Sequence, residues 1–169
     1  MDKPLSNDEL VRFLGVGLDS VLKYSQLADY ATIDEVLPKD GALHFRIILL
    51  EERFNRGHWV VLLRMPSGAL SYMNSYGERY DTDLCVVPRI VRRILGEDRR
   101  EISRLLDGAE CQWNHLKMQG ARSETCGRYC VLYVSMAQMG YTLPEWVEWM
   151  KAHKGEFGSY DLMVRALVK

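Results

Sequence analysis

At 169 residues, with 47% hydrophobic and 10% aromatic content, the chain can bury one core and is too apolar for a disordered tail. Its 22 basic and 23 acidic residues leave a formal charge of −1, which excludes a whole-protein attraction to nucleic acid or anionic membrane. No apolar run reaches transmembrane length, MDKPLSNDEL lacks a signal-peptide core, and Cys85, Cys111, Cys126 and Cys130 are too few for a disulfide-stapled scaffold. One domain spanning residues 1–169, in a reducing intracellular compartment and without a membrane partner, is expected.

Ser6-Asn7-Asp8-Glu9 has the form of a capping box before the apolar positions Leu10, Val11, Phe13 and Leu14, and Gly15 stops that helix. Residues 19–38 carry no clean period and read as short helical or loop structure. Leu43 to Leu50 and His58 to Leu63 are apolar runs that read as strands, the second of them buried. Pro66-Ser67-Gly68 is a turn, and Ala69 to Met73 a third strand. Val86 to Leu95 and Arg100 to Leu106 are expected as helices split near Gly96, with a short strand at Cys111 to Met118. Cys126, Cys130, Tyr133, Val134 and Ala137 recur at steps of three and four, so Thr125 to Met139 is a helix with those residues on one face. Gly140 ends it, and Pro144 opens another that runs through Met150. The pattern is α+β, with strands in the middle and helices at both ends.

The chemistry concentrates in Gln119-Gly120-Ala121-Arg122-Ser123-Glu124-Thr125-Cys126-Gly127, where a polar loop turns into an apolar helix. A thiol in a first helical turn feels the positive end of the macrodipole, which favours the nucleophilic thiolate. The unpaired N–H groups there also suit an oxyanion, and Gly127 lets a substrate backbone pass close. A sulfur that attacks amides needs a histidine to protonate the leaving amine. His58 opens a strand, and Asn74 ends the next one; antiparallel pairing would bring both to one sheet end, with the Asn74 amide oxygen fixing the His58 tautomer.

His58-Trp59, Asn74 through Gly77, Gln119-Gly120 and Cys126-Gly127 followed by Tyr129-Cys130 occur in the order of the adenain-like and Ulp-type cysteine proteases, which the chain resembles. The resemblance is nearest to maturation proteases of adenoviruses, related transposons and large DNA viruses. It implies a central mixed or antiparallel sheet flanked by helices, a circularly permuted papain-like (adenain-like) architecture. It further implies a Cys126–His58–Asn74 triad, Gln119 as side-chain oxyanion donor, and Trp59 walling a narrow channel that admits a Gly-Gly-like site, with Gly120 and Gly127 also placed against substrate. The expected activity is cleavage of viral precursor polyproteins or capsid and core proteins by a monomer, in the virion or the host cytoplasm or nucleus. No cofactor and no metal are required, although a DNA or peptide activator fits the family. Deconjugation of SUMO- or ubiquitin-like modifiers is the alternative enzymatic reading, and an inactive scaffold the non-enzymatic one. Adenoviral members carry Glu and Ulp-type members Asp where this chain has Asn74, an amide found in some large-virus relatives, and Glu78 and Asp81 are alternatives for orienting His58.

Plainer readings stand beside these. Cys130, one turn beyond Cys126, is expected to pack in the core, and Cys85 and Cys111 to serve packing or incidental redox chemistry. His44 and His115 are the rival bases, and His153 should follow a helix in solvent. Cys111, His115, Cys126 and Cys130 can be written as a zinc set, but two of them lie on one apolar helix face, unlike a zinc knuckle. Arg89, Arg92, Arg93, Arg99, Arg100 and Arg104 read as a solvated basic surface balanced by Glu97, Asp98 and Glu101, with docking on DNA as the minority reading. Trp113, Trp146 and Trp149 are expected to pack.

Overall fold

A computed structural model describes residues 3–82 and 87–169. Helix α1 (Asn7–Leu14) starts where its capping box directs, the Ser6 hydroxyl accepting from the Glu9 N–H and the Glu9 carboxylate accepting from the Ser6 N–H. Two 3₁₀ turns (Leu18–Ser20 and Tyr24–Asp29), a short strand β1 (Val21–Lys23) and one turn of helix α2 (Ile33–Val36) follow. The long strands β2 (His44–Arg53) and β3 (Arg56–Arg64) turn through Phe54-Asn55, where Asn55 has φ 57°. Next come β4 (Leu70–Met73), α3 (Arg89–Leu95), α4 (Glu101–Leu105), β5 (Cys111–Trp113), α5 (Cys126–Gln138), α6 (Leu143–Phe157) and α7 (Tyr160–Leu167).

The five strands form one sheet in the order β1-β2-β3-β4-β5. Strands β2, β3 and β4 are antiparallel, while β1 on β2 and β5 on β4 are parallel, so the sheet is mixed. Both faces are buried, which is why β2 and β3 carry the unbroken apolar runs Ile47 to Leu50 and Trp59 to Leu63 instead of alternating. Ile47, Leu49, Trp59, Val61 and Leu63 face a core built with α1, α5, α6 and α7; Ile48, Leu50, Val60 and Leu62 face a second core containing Tyr24, Val36, Ile102 and Leu105. Helix α5 crosses the first face with Tyr129, Cys130, Tyr133 and Val134 fully buried.

Several expectations need adjustment. Strand β1 was not visible in the sequence, because three residues carry no period; it forms by adding parallel to β2, Val21 opposite Ile47. The strand expected over Cys111 to Met118 ends at Trp113, since the chain must leave the sheet to cross under the Tyr76-Gly77 turn. Helix α6 runs to Phe157, so His153 lies within it, half-buried with its ring stacked on Trp149 at 4.4 Å rather than free in solvent. Helix α7 is additional. The start of the helix expected at Val86, and the packing role expected of Cys85, lie outside the described residues.

Candidate active site

The site forms where β3, the end of β4, the 119–125 loop and the first turn of α5 meet. His58 is the third residue of β3, preceded by Gly57. A Cβ on Gly57 would stand 1.8 Å from the Leu50 carbonyl oxygen, so only glycine lets β3 enter here. Past the end of β4, Asn74 is fully buried, and its Oδ1 lies 2.8 Å from His58 Nε2. The same Oδ1 accepts from the Tyr76 N–H at 2.9 Å. A backbone N–H only donates, so Oδ1 is the acceptor in both contacts and His58 carries its proton on Nε2. That leaves Nδ1 as the proton acceptor of the ring. Tyr76 stacks on the imidazole at 4.5 Å, fixing its plane.

Asn74 is itself held by Asn114: its N–H donates to Asn114 Oδ1 at 2.9 Å, and its carbonyl accepts from Asn114 Nδ2 at 2.6 Å. Asn114 bore no motif; only the β4–β5 pairing brings it there. Gly77, at φ 72°, is crossed so closely by residues 115–117 that a Cβ would lie 2.8 Å from the Leu116 carbonyl carbon. The aromatic-Gly pair is therefore a packing requirement of the turn that carries Asn74. Of the rival orienting groups, Glu78 is exposed. Asp81 is buried against Tyr24 and Ser103, bonding the Tyr24 hydroxyl and the Ser103 N–H and hydroxyl on the far side of the sheet.

Cys126 opens α5 and is 5% exposed. Burial pushes its thiol up, opposed by the backbone N–H groups of Trp59, Gly127 and Cys126 and reinforced by the nearby Glu124 charge. The Trp59 amide is the one next to His58 in β3, which sets the sulfur against the strand that carries the imidazole. Burial also pushes His58 down, to about 4, against the raising effect of the Asn74 hydrogen bond. In the free protein burial therefore disfavours the charged form of both the thiol and the imidazole that line this site. The thiolate expected from the helix dipole alone is outweighed by burial.

Gln119 is 2% exposed and locked at both ends of its amide. Its Oε1 accepts from the Ser75 hydroxyl at 2.6 Å, and its Nε2 donates to the Ser123 carbonyl at 2.5 Å. An amide nitrogen has two protons, so one remains for a further acceptor. Ser75, next to Asn74, also accepts the Met118 and Gln119 N–H groups on its carbonyl and so ties the two loops together.

His58, Cys126, Gln119, Trp59 and Tyr76 all line one cleft of about 550 Å³, and Pro4 to Asn7 line it with them. The Trp59 indole N–H donates to the Leu5 carbonyl at 3.0 Å, so the wall and the N-terminal segment are joined. The two glycines expected against substrate lie elsewhere. Gly127 is buried under α1, where a Cβ would meet Leu5 Cβ at 3.0 Å and Leu10 Cδ2 at 3.4 Å; it is small so that α1 can seat on α5. Gly120 turns its N–H away, to Asp161 Oδ2 at 3.0 Å.

The other candidates sort by position. His44 bonds Asp40, and His115 sits on Trp113 at 3.7 Å; neither lines the cleft. Cys130 and Trp146 are fully buried in the core. Among the described residues, no group of three or more His, Cys, Asp or Glu side chains is placed to hold a metal ion, and no helix is long and apolar enough to cross a membrane. Arg104 is engaged with the Leu27 and Tyr30 carbonyls and with Glu101, whereas Arg89, Arg93, Arg99 and Arg100 are exposed. The cleft thus presents a thiol, a proton acceptor and an N–H donor together, the set that acyl transfer to sulfur requires.

No protein-family model matches the chain. The crystal structure of the ASFV pS273R protease is similar, with a TM-score of 0.50 at 13% identity, covering 82% of this chain and 60% of that one. The chain thus spans less than two thirds of that protease's length, and the likeness shows that the α+β architecture described above is a fold it shares with that protease. The uncharacterized protein V9 of Sputnik virophage is 34% identical over 132 residues, 76% of this chain and 73% of V9. With that identity over most of both sequences, the chain belongs to the same protein family as Sputnik virophage V9.

Proposed function

We propose that the chain is a cysteine endopeptidase that cuts viral structural precursor proteins at Gly-Gly-like sites. The observation that carries this reading is the convergence of Cys126, the Asn74-bound His58 and the Gln119 amide on one cleft. As a substrate carbonyl enters, His58 Nδ1 takes the thiol proton while Cys126 Sγ bonds the carbonyl carbon. The oxyanion is held by the remaining Gln119 Nε2 proton and the Cys126 backbone N–H. The imidazolium then protonates the leaving amine as the C–N bond breaks, giving a thioester. Water attacks the thioester with His58 as base, returning thiol and acid. Asn74 holds the ring throughout without adding a negative charge. Starting from a neutral pair, proton transfer accompanies attack instead of preceding it.

The depth of the sulfur, with Cys126 5% and His58 7% exposed, supports small residues beside the cleaved bond. Kinship with a virophage protein and a fold shared with a viral protease support a viral substrate, cut in the virion or the infected cell, over a conjugated modifier. The test is to incubate the protein, with and without duplex DNA, with Gly-Gly-containing precursor fragments and with a Gly-Gly modifier conjugate, and to sequence new N-termini. Cleavage after small residues that disappears in Cys126→Ala is the expected result. Cleavage confined to the modifier would reassign the substrate, and cleavage that survives Cys126→Ala would remove the mechanism.

A further inference from the structure

We propose that Asp161, on a helix the reaction does not otherwise use, positions the oxyanion loop against the nucleophile helix. The inference rests on the cysteine-peptidase reading and extends it. Asp161 lies in the first turn of α7, where the Ser159 hydroxyl caps the Leu162 N–H at 3.1 Å and the helix dipole favours a carboxylate. Met163 and Val164, fully buried in the core shared with α5, fix that helix in place. The half-buried carboxylate reaches three groups at once. Its Oδ2 accepts from the Gly120 N–H at 3.0 Å; its Oδ1 accepts from the Thr125 hydroxyl at 2.8 Å and the Tyr129 hydroxyl at 2.9 Å.

Those contacts bracket the site in sequence. Gly120 adjoins Gln119, and Thr125 adjoins Cys126. Between them the loop closes on itself: the Ser123 N–H donates to the Gly120 carbonyl at 3.0 Å, the Ser123 carbonyl accepts from Gln119 Nε2, and the Ser123 and Thr125 hydroxyls lie 2.7 Å apart. Asp161 binds both ends of this ring from outside it. A Cβ on Gly120 would lie 3.1 Å from Asp161 Oδ2, tight enough that the carboxylate would have to shift by a few tenths of an ångström. Asp161 does not line the cleft, so it acts through the geometry of Gln119 relative to Cys126, not on substrate.

This role separates two reactions of the same sulfur. Hydrolysis of a peptide needs the oxyanion donor in place; alkylation of Cys126 by iodoacetamide, a displacement at carbon, does not. Asp161→Ala is expected to lower kcat by about 10- to 100-fold with KM within about twofold. The rate of Cys126 alkylation should stay within about twofold of wild type. Thr125→Val, which frees only the α5 end, should give a smaller loss with the same signature; it decides the matter if Asp161→Ala fails to fold. Wild-type turnover in the variant, or alkylation and turnover falling in parallel with Tm, overturns the assignment. A wild-type protein that shows no Cys126-dependent cleavage instead brings down the peptidase reading itself.

Discussion

Burial of His58 gives a pH dependence that can be calculated. The imidazole is 7% exposed and pushed from 6.5 to about 4, so between those values the unfolded chain binds a proton that the folded one refuses. Stability from this group is therefore complete above pH 6.5 and is lost as pH falls toward 4. At 1.36 kcal/mol per pH unit the loss reaches about 2 kcal/mol at pH 5 and about 3 kcal/mol at pH 4. The wild-type curve alone would hide it. Glu97, fully buried, is pushed from 4.5 up to about 7 by burial, against the lowering effect of the Glu51 N–H and with a smaller push from the Glu51 charge, and titrates with the opposite sign over nearly the same range. The difference between wild type and His58→Gln isolates the histidine. Urea unfolding followed by tryptophan fluorescence should show the variant gaining about 2 kcal/mol on wild type between pH 7 and pH 5. A difference that stays flat within about 0.5 kcal/mol across that range would refute the buried, neutral imidazole and the concerted proton transfer built on it.

Glu97 gives the mirror image. Its Oε1 accepts from the Glu51 N–H at 2.7 Å while Oε2 is buried with no hydrogen-bond partner among the described residues, and burial keeps the acid protonated up to about pH 7. Stability from that group is complete below pH 4.5 and is lost as pH rises through about 7. Glu97→Gln should therefore gain about 3 kcal/mol on wild type between pH 4 and pH 8 in the same unfolding assay. Leu10, fully buried over Gly127, joins α1 to α5. Leu10→Ala should cost about 2–5 kcal/mol in unfolding free energy, and a loss below about 1 kcal/mol would show that α1 is not seated on the nucleophile helix.

The elements legible in the sequence were those whose signal is local. The Ser6–Glu9 box fixed the start of α1, the step of three and four fixed α5, and the unbroken apolar runs of β2 and β3 required a sheet covered on both faces. The pairing of His58 with Asn74 followed from two strands and a turn, and it is the pairing found, at 2.8 Å. Strand β1 and helix α7 were less legible: one is three residues long and exists only because β2 offers an edge, and the other has its Ser159 cap but only eight residues behind it.

What the amino-acid order determined by itself was which residue types stand at the ends of which elements, because caps, periods and turns act within a few residues. Tertiary structure decided what those residues meet. It set Gly127 under Leu5 and Leu10, bound Gly120 to Asp161, anchored Asn74 on Asn114 and joined Gln119 to Ser75. It also decided the charge state, since a helix N-terminus favours a thiolate wherever it lies, but how much water the sulfur and the imidazole lose depends on the segments folded over them from far along the chain.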